Sequence, residues 1–346
     1  MGVMESMALA GKSAKGRTGE SVTRGARRGA ARTAWLAALA LLAAAVFPLL
    51  VPNPFYLAVA NLVFINAAVA VSLTLMIGTT GQLSLGHAAF FASGAYLSAY
   101  LSTMQNWPVL LAIVCAVAGT VLLAWLVGRL FLKLSGYYLA VATLGVGFLL
   151  GIVLRNEPQW SGGPDGMSVN PLTFAGHTLQ GDAAWYGVLL LVLVLTVLAS
   201  VNLLRSPAGR ALRALHDAEI AATTMGVDVQ SYKVRIFVFS AAIAGFMGAL
   251  YAHYSGFVTP DAASFLHSVQ FLMMAVVGGI GSIAGAVLGA GIVTLLPHLL
   301  AKAAEYETLV VGCILFAVVL LMPRGIVPTL RERWLARRAA HPGART

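Results

Sequence analysis

The chain has 346 residues, 59% of them hydrophobic and only 10% charged, and carries a formal net charge of +10. That is too apolar for a water-soluble domain, and it is long enough for roughly eight to ten spans of about 20 residues. Lipid leaves backbone polar groups no partners but each other, and the alternating pattern of a barrel is absent, so the expectation is an all-α polytopic membrane protein with about 8–10 transmembrane helices.

In chain order, residues 1–33 form a basic arm with seven basic and two acidic side chains. Windows long enough to cross a bilayer follow at 34–51, 56–77, 86–104, 108–128, 136–154, 184–204, 236–254 and 307–322, with a Gly-interrupted apolar stretch over 268–297. Three parts are expected: the arm, a transmembrane domain over 34–322 that includes a polar loop at 205–235, and a basic tail over 323–346. The tail holds six basic residues and one acidic residue. Such tails mark the cytoplasmic side and its anionic lipid surface, which places both termini inside. Without aromatic interleaving, they do not point to nucleic acid. Cys115 and Cys313 sit inside apolar runs and imply neither a disulfide nor a metal site.

Starting inside, seven crossings leave Arg129, Lys133, Arg205, Arg210, Arg213, Lys233 and Arg235 on the cytoplasmic side. Arg155, Glu157, Asp165, Asp182 and Asp261 fall outside. A single crossing over 268–297 would strand the basic tail outside. This stretch is therefore expected to enter and leave from one side, broken at Gly278, Gly279, Gly281 and Ser282, with 307–322 returning the chain to the cytoplasm. A long tilted helix with small-residue packing is the alternative.

A second break lies at 78–87, with Gly81, Gln82, Ser84, Gly86 and His87. Paired Gly-broken segments, one per half, fit a transport path in which interrupted helices expose backbone N–H and C=O groups. Those dipoles could handle a zwitterion without a fixed charge. Close helix packing explains such glycines equally well. Within the expected spans only His87 and His253 titrate near neutrality, and no Asp, Glu, Lys or Arg lies at mid-membrane, which weakens proton-driven and voltage-sensing schemes.

The polar loop reads SPAGRALRALHDAEIAATTMGVDVQSYKVR from Ser206. Ser206-Pro207 supplies a capping hydroxyl and a first-turn Pro. Asp217 can cap a second short helix that Gly226 stops in the left-handed conformation. A short helix outside the bilayer, with Ile220, Ala221, Thr224 and Met225 on one stripe, suits a groove on a partner.

Here the residues resemble a known family. Glu219-Ile220-Ala221-Ala222 followed by Gly226 is similar to the coupling loop of ABC importer permeases, in the form carried by the branched-chain amino-acid branch. GQLSLGHAAFFASGAY from Gly81, GYYLAVATLG from Gly136, SGGPDGM from Ser161, GGIGSIAGAVLGA from Gly278 and MPRGI from Met322 agree in order, so the resemblance covers roughly residues 60–330. The chain departs from the pattern at Phe148, where an acidic residue is common, and at Ser161 and Asp165, where Thr and Asn are common.

The resemblance implies a multi-pass permease in a bacterial inner membrane. Its partners would be two cytoplasmic ABC ATPase subunits, a homologous or identical second permease and an external solute-binding protein. Asp217, Glu219, Ala221, Ala222 and Gly226 would couple to an ATPase; Gly81, Gln82, Ser84, Gly86, His87, Gly278, Gly279, Gly281 and Ser282 would line the path. Gly162, Gly163, Pro164 and Gly166 would face the binding protein. No catalytic group, cofactor or metal is expected in the chain itself, which has no Gly-Lys-Ser/Thr phosphate loop. Leucine, isoleucine and valine are the expected solutes; urea or short amides, or an ion-coupled carrier, are the alternatives.

Overall fold

The computed structural model describes residues 47–48, 53–131, 137–174, 177–218, 223–226, 228–300, 312–313, 316, 320–322 and 325–339. Apart from a few helical positions, the expected spans at 34–51 and 307–322 lie outside them. The helices below belong to the unit Pro54–Thr346.

Helix α1 (Pro54–Thr80) begins on a proline, which has no N–H to leave unsatisfied, and is apolar on every side. It is accordingly the central helix, packed against five others. After a non-helical stretch, α2 (His87–Ala99) runs into a π-turn (Tyr100–Met104). Helices α3 (Val109–Phe131), α4 (Tyr137–Asn156) and α5 (Asp182–Arg205) follow, and each buries only a minority of its apolar window. A short helix α6 (Pro207–Asp217) leads into the loop, and α7 (Val229–Ser255) is a second inner helix. Two shorter helices, α8 (Phe265–Gly278) and α9 (Ile283–Leu300), precede α10 (Ile326–Ala339). The five long apolar helices α1, α3, α4, α5 and α7 make this a multi-pass integral membrane protein.

Close approach of α2 and α7 depends on glycine. A Cβ on Gly94 would overlap the Gly245 carbonyl, and one on Gly248 would overlap the Phe91 carbonyl. Without a hydrophobic drive between helices in lipid, this intimate contact is the main source of adhesion. Ser93 and Thr120 hydroxyls, 3.1 Å apart, join α2 to α3 at the same crossing.

The helix ends sort into two faces. One gathers the start of α1, the end of α4, the start of α5 and the end of α7. It is tied by Asn61 Nδ2 donating to the Asp182 carbonyl (3.0 Å), Tyr254 donating to the Asp182 carboxylate (2.9 Å) and Arg155 paired with Asp261 (3.1 Å). The opposite face carries the ends of α3 and α5, all of α6 and the start of α7, with Arg129, Arg205, Arg210, Arg213 and Arg235. The described members of the basic and acid-rich sets anticipated from the sequence thus occupy opposite ends of the bundle, Lys133 lying outside the described residues.

Between α8 and α9 the chain turns through Gly279 (φ 112°) and Gly281 (φ 81°), so the apolar stretch over 268–297 is a helical hairpin and not one tilted helix. Its far end returns to the face where α1 begins: Asn66 Nδ2 donates to Thr294 Oγ1 (3.0 Å), and the rings of His298 and Phe55 lie 6.2 Å apart. Its tip lies against Gly78, near the other end of α1, and against Gly325.

Two expectations are corrected. Helix α7 starts at Val229 instead of 236, because Asp228 caps a polar first turn (Asp228 Oδ1 to Ser231 N, 3.1 Å) that extends the helix beyond its apolar window. The fold also holds two small antiparallel pairings, Met167–Ser168 with Phe257–Val258 and Thr173–Phe174 with His177–Thr178. Both lie in loops outside the apolar helices, where sheet edges meet no lipid.

Candidate translocation path and coupling loop

The first break begins where α1 ends. Gly81 (φ 67°) turns the chain, its N–H still bonded to the Ile77 carbonyl (2.9 Å), and residues 81–86 are non-helical, with a bend at Leu85. Leu85 N donates to Thr143 Oγ1 of α4 (3.1 Å), and Gly86 lies so close to the Thr143 carbonyl that no Cβ fits. Helix α2 then starts inside the protein. Gly86 offers it no side-chain cap, and the Ala88 N–H is instead satisfied by Ser268 Oγ of α8 (3.1 Å).

His87 is fully buried, its Nε2 3.2 Å from Ser240 Oγ of α7, which in turn donates to Ser72 Oγ of α1 (3.2 Å). Ser240 stands eleven residues into α7, so α2 begins roughly 16 Å along that helix at 1.5 Å per residue. Non-helical backbone therefore reaches well into the bundle, surrounded by protein on the α1, α4, α7 and α8 sides.

Buried polar atoms without partners concentrate in this break. Both amide atoms of Gln82, the Ser84 hydroxyl and His87 Nδ1 have none among the described residues. Each such atom costs on the order of 1–3 kcal/mol if left dry, so four of them on three side chains within six residues call for water, solute or another subunit. The apolar alternative, in which these positions only pack, predicts no such cluster.

Of the second set, Gly278 packs on the Gly285 backbone and Gly279 on Gly325, while Ser282 Oγ accepts from Gly285 N (3.1 Å) and starts α9. The two breaks touch at Gly78 and Gly281, whose backbones are too close for a Cβ on Gly78. Gly78 and Gly278 thus have a packing role, whereas Gly81, Gly279 and Gly281 are needed for positive φ.

Sequence reasoning missed His267 and Gln270. They project from the first turns of α8 into a 320 Å³ cavity with Tyr251, Asp261 and Ser264. The apolar window began one residue after His267, which hid it; the signal available was His267 and Gln270 at i, i+3 in an apolar helix. His253, by contrast, is a fastener. Its Nδ1 lies 2.7 Å from the Asn170 carbonyl and its Nε2 2.8 Å from Ser98 Oγ, which ties the loop between α4 and α5 to α2 and α7.

That loop is folded on itself by the glycines of SGGPDGM. Gly162, Gly163 and Gly166 all have positive φ, Ser161 Oγ donates to the Leu154 carbonyl (2.7 Å), and Gly166 presses on the Val258 carbonyl. Pro164 and Asp165 are left exposed at its tip.

In the polar loop, Ser206 Oγ accepts from Gly209 N (3.2 Å) and Pro207 opens α6, as the sequence indicated. Leu212 and Leu215 are buried, α6 packs against α1 and α5, and Arg213 donates to the Leu204 carbonyl (2.9 Å). Asp217 is the last residue of α6, and Gly226 adopts φ 81°, the left-handed stop expected of it. Glu219, Ala221 and Ala222, with the stripe residue Ile220, lie outside the described residues. Asp228, at the end of the loop, is held below the usual carboxylate range, chiefly by the Ser231 hydroxyl and N–H.

The architecture now has relatives to be set beside. Residues 55–319 match the family described as branched-chain amino acid transport system / permease component. The chain is 33% identical over 306 residues to the high-affinity branched-chain amino acid transport system permease protein LivM of Salmonella typhimurium, covering 80% of this chain and 70% of that one. It is 32% identical to LivM of Escherichia coli, covering 82% and 73%, and 26% identical to the permease protein LivH of Salmonella typhimurium, covering 75% and 90%. No solved structure matches the chain. A match across most of the length, spanning both breaks and the polar loop, shows that the chain belongs to the branched-chain amino acid transport permease family.

Proposed function

We propose that this chain is a membrane-spanning subunit of an ATP-driven importer in a bacterial inner membrane, with leucine, isoleucine and valine as its solutes. Family membership supports the permease role. The observation that carries the mechanism is that two broken helical segments touch and that one of them holds buried polar atoms without partners among the described residues. A neutral zwitterion can cross such a site by exchanging its water for amide, hydroxyl and backbone dipoles, without a fixed counter-charge. In this reading Gly81, Gln82, Ser84, Gly86 and His87 from one break, and Gly278, Gly279, Gly281 and Ser282 from the other, border the path.

The energy comes from partners. Residues 205–235 face the cytoplasm with both termini, and the segment from Asp217 through Glu219, Ala221 and Ala222 to Gly226 docks in a cleft of an ATPase subunit. Helix α6 is the lever arm: its buried leucines grip α1, whose last turn carries Gly78 at the junction of the breaks. Two ATPase subunits and a second permease complete the machine. An external binding protein delivers solute to the loop holding Gly162, Gly163, Pro164 and Gly166.

Reconstitution tests this. Vesicles with this chain alone take up no leucine under proton or sodium gradients, and uptake appears when the ATPases, second permease, binding protein and ATP are supplied. Uptake by the chain alone contradicts the proposal; transport of urea but not leucine by the full set would move it to another solute.

A further inference from the structure

On the face bearing the arginines, the end of α3 and the start of α7 enclose a cavity of about 730 Å³. Each helix brings an arginine laid on an aromatic ring: Arg129 lies 4.5 Å over Trp125, and Arg235 lies 5.7 Å over Tyr232. The ring holds the guanidinium plane without using up its N–H donors. Among the described residues neither arginine makes a salt bridge.

The carboxylate lining the cavity, Asp228, is already engaged. It accepts from the Ser231 N–H (3.1 Å) and hydroxyl (2.6 Å) and so caps α7. The helix end is therefore occupied; Asp228 keeps its negative charge and lies within coulombic reach of Arg235, and the two arginines outweigh that one carboxylate. Gln230 and Ser231 line it beside Asp228, and the rest of the wall is apolar, made by Val234, Val238, Phe239 and the Trp125 ring. Leu122, Leu126 and Leu130 are exposed beside Trp125, an apolar face suited to lipid, and Trp125 and Tyr232 are amphipathic rings near the ends of their helices.

We propose that this cavity holds an anionic phospholipid, its phosphodiester between Arg129 and Arg235 and one acyl chain along Trp125, Val234, Val238 and Phe239. The charges fit the headgroup and the wall fits the chain. A free phosphate would leave that wall against water, and an acidic peptide would leave it uncovered as well. The inference rests on the membrane-spanning reading but not on what is transported.

The test uses the full chain in phosphatidylcholine nanodiscs, with Trp125 emission isolated by subtracting the Trp125→Phe variant. Phosphatidylcholine or phosphatidylglycerol carrying dibrominated acyl chains is added at equal mole fraction as the quencher. Quenching of Trp125 by the glycerol lipid is expected to need on the order of fivefold less lipid than quenching by the choline lipid, and Arg129→Gln with Arg235→Gln to bring the two together. Equal quenching in the unsubstituted chain, which means annular contact only, overturns the proposal without reference to any variant. A preference that survives the double substitution also overturns it. Because the readout is a lipid preference, failure of leucine transport leaves it unaffected.

Discussion

Gly94 and Gly248 show how much of this protein rests on single missing methyl groups. Both lie where α2 and α7 cross backbone to backbone, whereas Gly187 on α5 has nothing within 4 Å of the place a Cβ would take. Gly94→Ala or Gly248→Ala should cost about 2–3 kcal/mol, because neither neighbouring carbonyl can move aside without bending a helix. Gly187→Ala should leave stability unchanged or slightly raised, since it only improves helix propensity. Thermal unfolding in nanodiscs separates them; equal melting temperatures for Gly94→Ala and Gly187→Ala would show that the crossing is looser than described. The sequence alone could not rank these residues. A glycine in an apolar run reads the same whether its neighbour is a backbone or open space, and the partner of Gly86, Thr143, is far away in the chain. Gly226 was legible because its constraint is local: a left-handed stop after a short helix depends only on its own backbone.

Elements were readable where hydropathy alone decides. The windows at 56–77, 108–128, 136–154 and 184–204 became α1, α3, α4 and α5 with ends shifted by a few residues, since lipid permits little but helix there. The start of α7 was not, because its first turns are polar and are held by an Asp228 cap instead of by burial. The two-residue strands were equally hidden; that of Met167–Ser168 pairs with Phe257–Val258 across the chain, beside the folded loop of Gly162 to Gly166. At the same scale, the polar loop is proposed to be a lever from an ATPase to α1. Gly226→Pro cannot adopt φ 81° and removes the N–H that bonds the Thr223 carbonyl (3.0 Å), yet it meets no packed neighbour. It should therefore lower leucine uptake by roughly an order of magnitude and weaken ATPase copurification, with only a small fall in melting temperature because the strain and the lost bond sit at exposed positions. Unchanged uptake and copurification would remove the coupling role.

Across the whole molecule, charge and geometry agree on two faces: arginines at the ends of α3 and α5 and the start of α7, and Asp165, Asp182 and Asp261 at the other end. The alternation was legible because it needs only the windows and the signs between them. The hairpin of α8 and α9 was anticipated from charge too, since a single crossing would have put the basic tail on the acid-rich face. What stayed hidden is the meeting of the breaks, because Gly78 and Gly281 are joined only by the folded bundle.

The account depends on the polar loop facing the cytoplasm, and sided labelling tests that directly. With Cys115 and Cys313 replaced by Ser, Met225→Cys and Asp261→Cys, both at exposed positions, are treated with an impermeant maleimide in right-side-out and inside-out vesicles. The account predicts that Met225→Cys is labelled only in inside-out vesicles and Asp261→Cys only in right-side-out ones. Labelling of Met225→Cys from the outside would contradict it.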